Sequence, residues 1–284
     1  MLTPREQSFN SLSLHGFHRV AYREWGDPDN ARIVVCVHGL TRNARDFDDL
    51  ATALAPTFRV ICPDMPGRGE SDWLRDPNDY NTATYLTVLA AMLAHAHAGK
   101  VSWVGTSMGG LLGMVMAAQP GTPIAKMVIN DIGPLIEPVA LARIGMYVGL
   151  DPLFDSFQAL EGHVRAVSAT FGPLTDAQWA SLSRSVARQT PDGRWRLKYD
   201  PGIAVPFRAT ATVPANLWPV WDAIQCPTLV LRGAESDLLS STTAQAMQKR
   251  GPRPELIEFA GIGHAPMLLT ADQIDPVVRF LQGG

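Results

Sequence analysis

The chain has 284 residues, of which 46% are hydrophobic and 18% charged, with 24 Lys and Arg against 27 Asp and Glu. This composition provides enough apolar material for a large buried core and excludes an intrinsically disordered chain. A net charge of −3 without basic runs favours neither nucleic acid nor an anionic membrane surface as a partner. The length fits a single α/β core that carries an insertion.

The first ten residues, MLTPREQSFN, are mostly polar and lack the apolar stretch of a signal peptide. The most apolar window, residues 101–120, is interrupted by glycines and is not typical of a membrane span. Cys36, Cys62 and Cys226 lie far apart without a CxxC motif, which favours buried free thiols in a reducing compartment. We therefore expect a soluble cytoplasmic protein.

Short β-rich runs alternate with stretches of helical spacing along most of the chain. The first run, 18–26, alternates polar and apolar residues as a half-buried strand does. Six further runs are continuously apolar, as parallel strands with two buried faces are: 32–39, 58–64, 100–107, 126–133, 227–233 and 254–261. Helical spacing covers 43–55, 80–98, 107–119, 241–250 and 271–282. The alternation predicts a mostly parallel, doubly wound α/β sheet.

The alternation stops between Pro134 and Gln225, where the sequence indicates amphipathic helices separated by prolines and rich in Trp and Phe. A stretch of this length between two core strands predicts an inserted helical cap over 134–225, on a core of 1–133 and 226–284. We expect most of the aromatic side chains to pack the cap onto the core. Their density also suggests that the underside of the cap is apolar.

The segment Gly105-Thr106-Ser107-Met108-Gly109 is a G-x-S-x-G motif between a predicted strand and a predicted helix. In this context the motif forms a sharp turn that exposes the serine hydroxyl above the sheet edge. The backbone N–H of Met108 would then lie at a helix N-terminus, where it can stabilise an oxyanion. A helix-capping serine in a glycine-rich crossover is the simpler alternative, and we favour the nucleophile.

A serine nucleophile requires a base, and His264 is the strongest candidate among the seven histidines. It lies in the glycine-flanked segment GIGHAP just after the last predicted strand, at the edge of the sheet where Ser107 is expected. His38 begins the loop after an earlier strand and is expected to support that loop. The N–H of Leu40, in the same loop, is the second candidate oxyanion donor.

The motifs of several cofactor sites are absent from the sequence. The glycine-rich segment DMPGRGESD is not followed by the Lys-Ser/Thr pair of a phosphate-binding loop, and no G-x-G-x-x-G occurs. No H-x-x-x-H motif or His and carboxylate cluster has the spacing of a metal site. We therefore predict no cofactor and no metal.

Six segments resemble, in order and spacing, those of the α/β-hydrolase family: HGL, DMPGRGESD, GTSMGG, NDIGP, RGAESD and GIGHAP. The resemblance covers nearly the whole chain outside the predicted cap. It implies an α/β-hydrolase fold of the serine carboxylesterase-like branch, with Ser107 as nucleophile, His264 as base and an acid between them in the chain. Arg68 stands where many members carry His, which we expect to affect loop packing rather than catalysis.

Two aspartates are candidates for the acid. The family usually places it three residues beyond the glycine that here is Gly233, but that position is Ser236, and Asp237 follows. Some serine esterases of the family carry the acid after the preceding strand, where this chain has Asp131. Either carboxylate would lie at the same sheet edge as His264. We predict Asp131, with Asp237 as the alternative, because Ser236 occupies the usual acid position and displaces Asp237 by one residue.

The resemblance implies a serine hydrolase that cleaves carboxylic esters of small to medium acyl chains. Ser107 excludes the aspartate-nucleophile branches of the family, the dehalogenases and epoxide hydrolases. A lactonase or a carbon–carbon bond hydrolase of aromatic ring-cleavage products is the alternative; relatives of the latter type often carry an aromatic residue where Ala265 follows His264. A non-catalytic ligand-binding member is disfavoured because no member of the triad is missing.

Overall fold

The computed structural model describes residues 3–210 and 215–283. Residues 1, 2 and 284 of the predicted core and 211–214 of the predicted cap lie outside these ranges. The strands are β1 (Arg5–Ser13), β2 (Gly16–Trp25), β3 (Ile33–Val37), β4 (Arg59–Pro63), β5 (Val101–Thr106), β6 (Ile124–Asn130), β7 (Leu135–Ile136), β8 (Ala187–Gln189), β9 (Trp195–Leu197), β10 (Ala215–Asn216), β11 (Thr228–Gly233) and β12 (Glu255–Phe259).

Eight strands form one sheet in the order β1-β2-β4-β3-β5-β6-β11-β12. β1 and β2 pair antiparallel with each other, β2 pairs antiparallel with β4, and the pairs from β4 to β12 are parallel. The predicted mostly parallel sheet is therefore confirmed. β1 was not predicted, because this edge strand buries only Phe9 and Ser11 and reads as a polar segment.

The helices are α1 (Asp48–Leu54), α2 (Thr82–His95), α3 (Met108–Ala117), α4 (Pro138–Gly145), α5 (Phe157–Val167), α6 (Asp176–Ser185), α7 (Ala204–Thr210), α8 (Trp218–Ala223), α9 (Ser241–Met247) and α10 (Ala271–Gln282). Each predicted helical stretch of the core contains one of these helices. Within 43–55, the segment Ala44–Phe47 is a 3₁₀ helix that precedes α1.

The two faces of the parallel strands pack against different helices. In β3, Val35 and Val37 belong to a core with side chains of α2, α3 and α9, whereas Val34 and Cys36 belong to a core with α1 and α10. Successive side chains of a strand point to opposite faces, so a strand covered on both faces needs apolar residues at every position. This double burial explains why β3 reads as an uninterrupted apolar run.

Between β6 and β11 the described chain forms α4–α8 and four short strands. These strands pair as β7 with β10 and β8 with β9, Trp195 of β9 also forms a bridge with Phe154, and none of the four joins the eight-stranded sheet. Strands of two or three residues carry too little pattern to be seen in the sequence, which explains why they were not predicted. The interval thus consists mainly of helices that pack above the sheet edge.

The cysteines of the chain are free thiols. Cys36 and Cys62 are buried, and Cys226 is partly buried; burial raises the pKa of the Cys62 and Cys226 thiols.

No helix within residues 3–210 and 215–283 has the length and apolar character needed to cross a membrane. Over the same ranges, no group of three or more His, Cys, Asp and Glu side chains is arranged to hold a metal ion.

Two helix glycines give opposite predictions for substitution by alanine. A Cβ at Gly113 of α3 would lie 2.3 Å from Nε1 of the buried Trp103, whereas a Cβ at Gly162 of α5 would meet nothing within 4 Å. Gly113→Ala should lower the free energy of unfolding by about 1–3 kcal/mol through overpacking. Gly162→Ala should raise it by roughly 0.5–1 kcal/mol through helix propensity. Urea unfolding of both variants measures these changes, and a neutral Gly113→Ala would contradict the close packing of α3 on β5.

Candidate active site

Ser107 occupies the turn between β5 and α3, with a backbone φ of 52° that side chains rarely adopt. The turn brings the flanking backbones into close approach. A Cβ at Gly109 would lie 1.9 Å from the carbonyl oxygen of Val37, and one at Gly105 would lie 2.3 Å from that of Gly109. The two glycines of the motif are therefore required because no side chain fits at either position.

The structure brings Ser107, His264 and Asp131 into one hydrogen-bonded chain. The Nε2 atom of His264 lies 3.0 Å from Oγ of Ser107, and its Nδ1 atom lies 2.8 Å from Oδ2 of Asp131. The three residues follow β5, β6 and β12, whose carboxyl ends share one sheet edge. These distances are those expected between a nucleophile, its base and the group that orients the base.

Asp131 is fully buried, and each of its carboxylate oxygens accepts a hydrogen bond from the β11 side. Oδ1 accepts the backbone N–H of Gly233 at 2.9 Å, and Oδ2 accepts the hydroxyl of Ser236 at 2.6 Å in addition to the imidazole of His264. Ser236, at the family's usual acid position, thus binds the carboxylate of Asp131. Nothing in the sequence analysis indicated this role for the Ser236 hydroxyl.

Asp237, the alternative acid, faces a different partner. Its carboxylate binds the guanidinium of Arg143 through two hydrogen bonds, at 2.5 Å from Nε and 2.9 Å from Nη2. The side chain of Asp237 is 45% exposed, whereas Asp131 is fully buried. Within the residues that the structure describes, His264 is hydrogen-bonded to Asp131 and not to Asp237.

The loop after β3 is held by the buried, neutral imidazole of His38. Nε2 accepts the backbone N–H of Met65 at 2.9 Å, so the ring proton is on Nδ1 and is donated to the carbonyl of Gly39 at 2.7 Å. Burial lowers the pKa of His38 to about 3. The carbonyl of Gly39 shares its peptide plane with the N–H of Leu40, and His38 therefore orients one of the two candidate oxyanion donors.

Arg68 holds the next peptide of the same loop. Its side chain is 1% exposed, and the guanidinium donates to the carbonyls of Leu40 at 2.8 Å and Pro66 at 2.7 Å and to the hydroxyl of Tyr85 at 2.7 Å. Its Nη2 lies 4.0 Å from the sulfur of Met108, the other residue whose N–H is a candidate oxyanion donor. Arg68 thus contacts both residues of the predicted oxyanion hole from behind.

The His264 loop is fastened to its surroundings on two sides. The hydroxyl of Thr170 donates a hydrogen bond to the carbonyl of His264 at 2.8 Å, and the backbone carbonyl of Thr170 accepts the N–H of Gly263 at 2.7 Å. Asn130, at the end of β6, donates to the carbonyl of Pro266 at 2.7 Å and to the hydroxyl of Thr106 at 3.1 Å. These contacts fix the imidazole relative to the turn that carries Ser107.

Two cavities meet at Ser107. The first, about 120 Å³ and open to solvent, is lined by Ser107, His264, Arg42 and Arg143, and we call it the arginine-lined cavity. The second, about 630 Å³, is the apolar cavity. Its lining includes Ser107 and Met108 together with Leu111, Ile136, Leu141, Ile203, Phe207 and Leu238. An ester bound at Ser107 could therefore extend its two halves into chemically different spaces.

The chain belongs to the alpha/beta hydrolase family, whose model matches residues 34–280. It is 44% identical, over 99% of both chains, to a 3-hydroxybutyrate-oligomer hydrolase of Cupriavidus necator. An esterase of Mycobacterium tuberculosis is 27% identical over 91% of this chain and 84% of its own length. A crystal structure of an alpha/beta hydrolase from Novosphingobium aromaticivorans is 39% identical over 99% of both chains, with a TM-score of 0.89.

These similarities confirm the α/β-hydrolase family and fold that the motifs indicated. An esterase and a 3-hydroxybutyrate-oligomer hydrolase among the relatives also confirm the predicted enzyme class, a hydrolase that acts on ester bonds.

Arg68→Met provides a test of the loop behind the site. The variant leaves the buried carbonyls of Leu40 and Pro66 without their donor, at roughly 1–3 kcal/mol for each carbonyl. We expect a lower free energy of unfolding and, because the peptide of Leu40 is no longer held, a lower kcat on p-nitrophenyl butyrate. Denaturant unfolding and initial rates measure the two effects.

Arg45→Met is the matched control for Arg68→Met. The Arg45 side chain is 46% exposed and pairs with Asp48, so its loss should change the free energy of unfolding by about 0.5 kcal/mol or less. Equal stability of the two variants would contradict the structural role assigned to Arg68.

Proposed function

We propose that the protein is a serine hydrolase that cleaves carboxylic esters of small to medium acyl chains, with linear 3-hydroxybutyrate oligomers as its substrates. The observation that carries the mechanism is the hydrogen-bonded chain from Ser107 through His264 to Asp131. The substrate is supported by the 44% identity, over 99% of both chains, to a hydrolase of these oligomers.

In the proposed first half-reaction, Oγ of Ser107 attacks the ester carbonyl while Nε2 of His264 takes the hydroxyl proton. The carbonyl oxygen becomes an oxyanion that accepts hydrogen bonds from the backbone N–H groups of Leu40 and Met108. The tetrahedral intermediate collapses, the carbon–oxygen bond breaks, and His264 passes its proton to the departing alcohol. Asp131 accepts a hydrogen bond from the Nδ1–H of His264 throughout and stabilises the imidazolium without taking its proton.

In the second half-reaction, water attacks the acyl-serine and gives one proton to His264. Collapse of this intermediate releases the carboxylic acid, and His264 returns the proton to Ser107. The reaction consumes one water for each ester bond and needs no cofactor. The network around Asp131 supports this assignment, because the N–H of Gly233 and the hydroxyl of Ser236 hold the carboxylate in place while its Oδ2 also binds the imidazole.

We further propose that residues 134–225 are a cap domain that selects the acyl chain, on a core of 1–133 and 226–284. Both cavities at Ser107 support this division, because α4 and the chain around Thr170 line the first and α7 lines the second. The buried free thiols support the cytoplasm as the location of the protein.

Hydrolysis of the 3-hydroxybutyrate dimer and trimer, followed as release of monomer by chromatography, tests the proposed function. The wild-type protein should cleave both, and Ser107→Ala should cleave neither while retaining the wild-type circular dichroism spectrum. Graded p-nitrophenyl esters, a lactone and an aromatic ring-cleavage product complete the panel. Higher kcat/KM on the lactone or the ring-cleavage product than on any ester would contradict the proposal.

The identity of the acid is tested by comparing two asparagine variants on p-nitrophenyl butyrate. Asp131→Asn should lower kcat by a factor on the order of 10⁴, by analogy with serine proteases, because an amide favours the wrong tautomer of the imidazole. Asp237→Asn only removes the partner of Arg143 and should cost far less. A large loss in Asp237→Asn beside a mild one in Asp131→Asn would reverse the assignment.

A further inference from the structure

The two cavities differ in their relation to the proton donor of the proposed reaction. His264 lines the arginine-lined cavity and is not among the described residues that line the apolar cavity. In an ester hydrolase the base returns its proton to the departing alcohol, so the alcohol half of the substrate must lie beside His264. The arginine-lined cavity is therefore the space for the alcohol half, and the apolar cavity is left for the acyl half.

The two arginines of the arginine-lined cavity are paired in different ways. Arg42 forms a two-point ion pair with Asp46 at 2.6 and 2.8 Å, and both residues line the cavity, so their charges offset each other there. Arg143 also lines the cavity, whereas its partner Asp237 is not among the described lining residues. Burial lowers the pKa of His163, which also lines the cavity, and this favours its neutral form. Arg143 is thus the cation of the described cavity wall whose paired carboxylate lies outside that wall.

Arg143 has a hydroxyl beside it that can share the same ligand. Its guanidinium uses Nε and Nη2 for Asp237, and its positive charge acts on the phenol of Tyr147, four residues further along the chain, which lines the cavity too. Burial raises the pKa of Tyr147, so the phenol keeps its proton and can donate it. Asp237 holds the guanidinium while its own side chain is 45% exposed, where solvent weakens its competition with another anion.

A linear 3-hydroxybutyrate oligomer ends in a free carboxylate, and at the terminal ester bond this carboxylate belongs to the alcohol half. We propose that Arg143 and Tyr147 bind this carboxylate, so that the enzyme prefers oligoesters whose alcohol half ends in a carboxylate over neutral esters. This proposal rests on the proposed function. It makes Arg143 and Tyr147 determinants of specificity through a charge-assisted hydrogen bond, which is stronger than a neutral one.

The test compares the 3-hydroxybutyrate dimer with its methyl ester, in which the carboxylate is neutralised by one added methyl group, and follows cleavage of the central ester bond that both compounds share. The wild-type protein should show a higher kcat/KM on the acid than on the methyl ester. Arg143→Gln should lower the ratio of the two kcat/KM values by about 10-fold or more, mainly through KM of the acid. Tyr147→Phe should lower the same ratio by a smaller factor.

Arg194→Gln is the matched control, because Arg194 forms a comparable exposed pair with Asp192 and does not line the cavity. This variant should keep the wild-type ratio, and thermal unfolding checks that all variants are folded. An unchanged ratio in Arg143→Gln, an equal fall in Arg194→Gln, or a wild-type preference for the methyl ester would overturn the carboxylate site.

The same measurements separate this proposal from the proposed function. Equal cleavage of the acid and its methyl ester would remove only the carboxylate site and leave the ester hydrolase intact. Cleavage of p-nitrophenyl butyrate without cleavage of either dimer would overturn the proposed substrate, and the carboxylate site with it. Absence of all ester cleavage in a folded wild-type protein would overturn the proposed function itself.

Discussion

The site depends on a contact that only glycine permits. Gly109 lies so close to the end of β3 that a Cβ would reach the carbonyl of Val37. This packing lets the chain reverse at Ser107 with a positive φ and start α3 at once, so that the serine hydroxyl stands above the sheet. The strain of a non-glycine residue at this φ is offset by the closely packed strand and helix on either side.

The parallel sheet supplies the rest of the geometry. Parallel strands end at the same edge, so residues that follow β5, β6 and β12 meet although 157 residues separate Ser107 from His264 in the chain. Two of the buried polar side chains at this edge, Asp131 and His38, are fixed by backbone partners. Asp131 accepts from Gly233, and His38 joins Met65 to Gly39. A network satisfied in this way is preorganised, because little reorganisation is needed when charge develops during a reaction.

The helical interval between β6 and β11 packs on the core through apolar side chains such as Ile144 and Ile203 and through polar contacts. Thr170 binds the His264 loop, and Tyr80 donates its hydroxyl to Asp200. The same interval supplies Arg143 and Tyr147 to one cavity and Phe207 to the other. The sheet edge therefore carries Ser107, His264 and Asp131, and the interval between β6 and β11 contributes side chains to the walls of both cavities.

The sequence by itself determined the parallel sheet and its central strands, because double burial imposes continuous apolar runs. It also indicated Ser107 and His264 as candidates, because the glycines that flank them are typical of tight turns in which larger side chains do not fit. The edge strand β1 was not predicted, since one-sided burial leaves only a weak pattern. The sequence favoured Asp131 over Asp237 only narrowly, because both follow strands that end at the same edge.

Only the tertiary structure decided which carboxylate meets the imidazole, since that depends on distances between loops more than 100 residues apart in the chain. The same holds for the hydroxyl of Ser236 on Asp131 and for the guanidinium of Arg68 behind Leu40. The sequence around Arg143 is that of an ordinary amphipathic helix, and nothing in it predicted that Arg143 lines the same cavity as Ser107. Patterns along the chain report which face of an element is buried, whereas these contacts arise from how separate elements pack together.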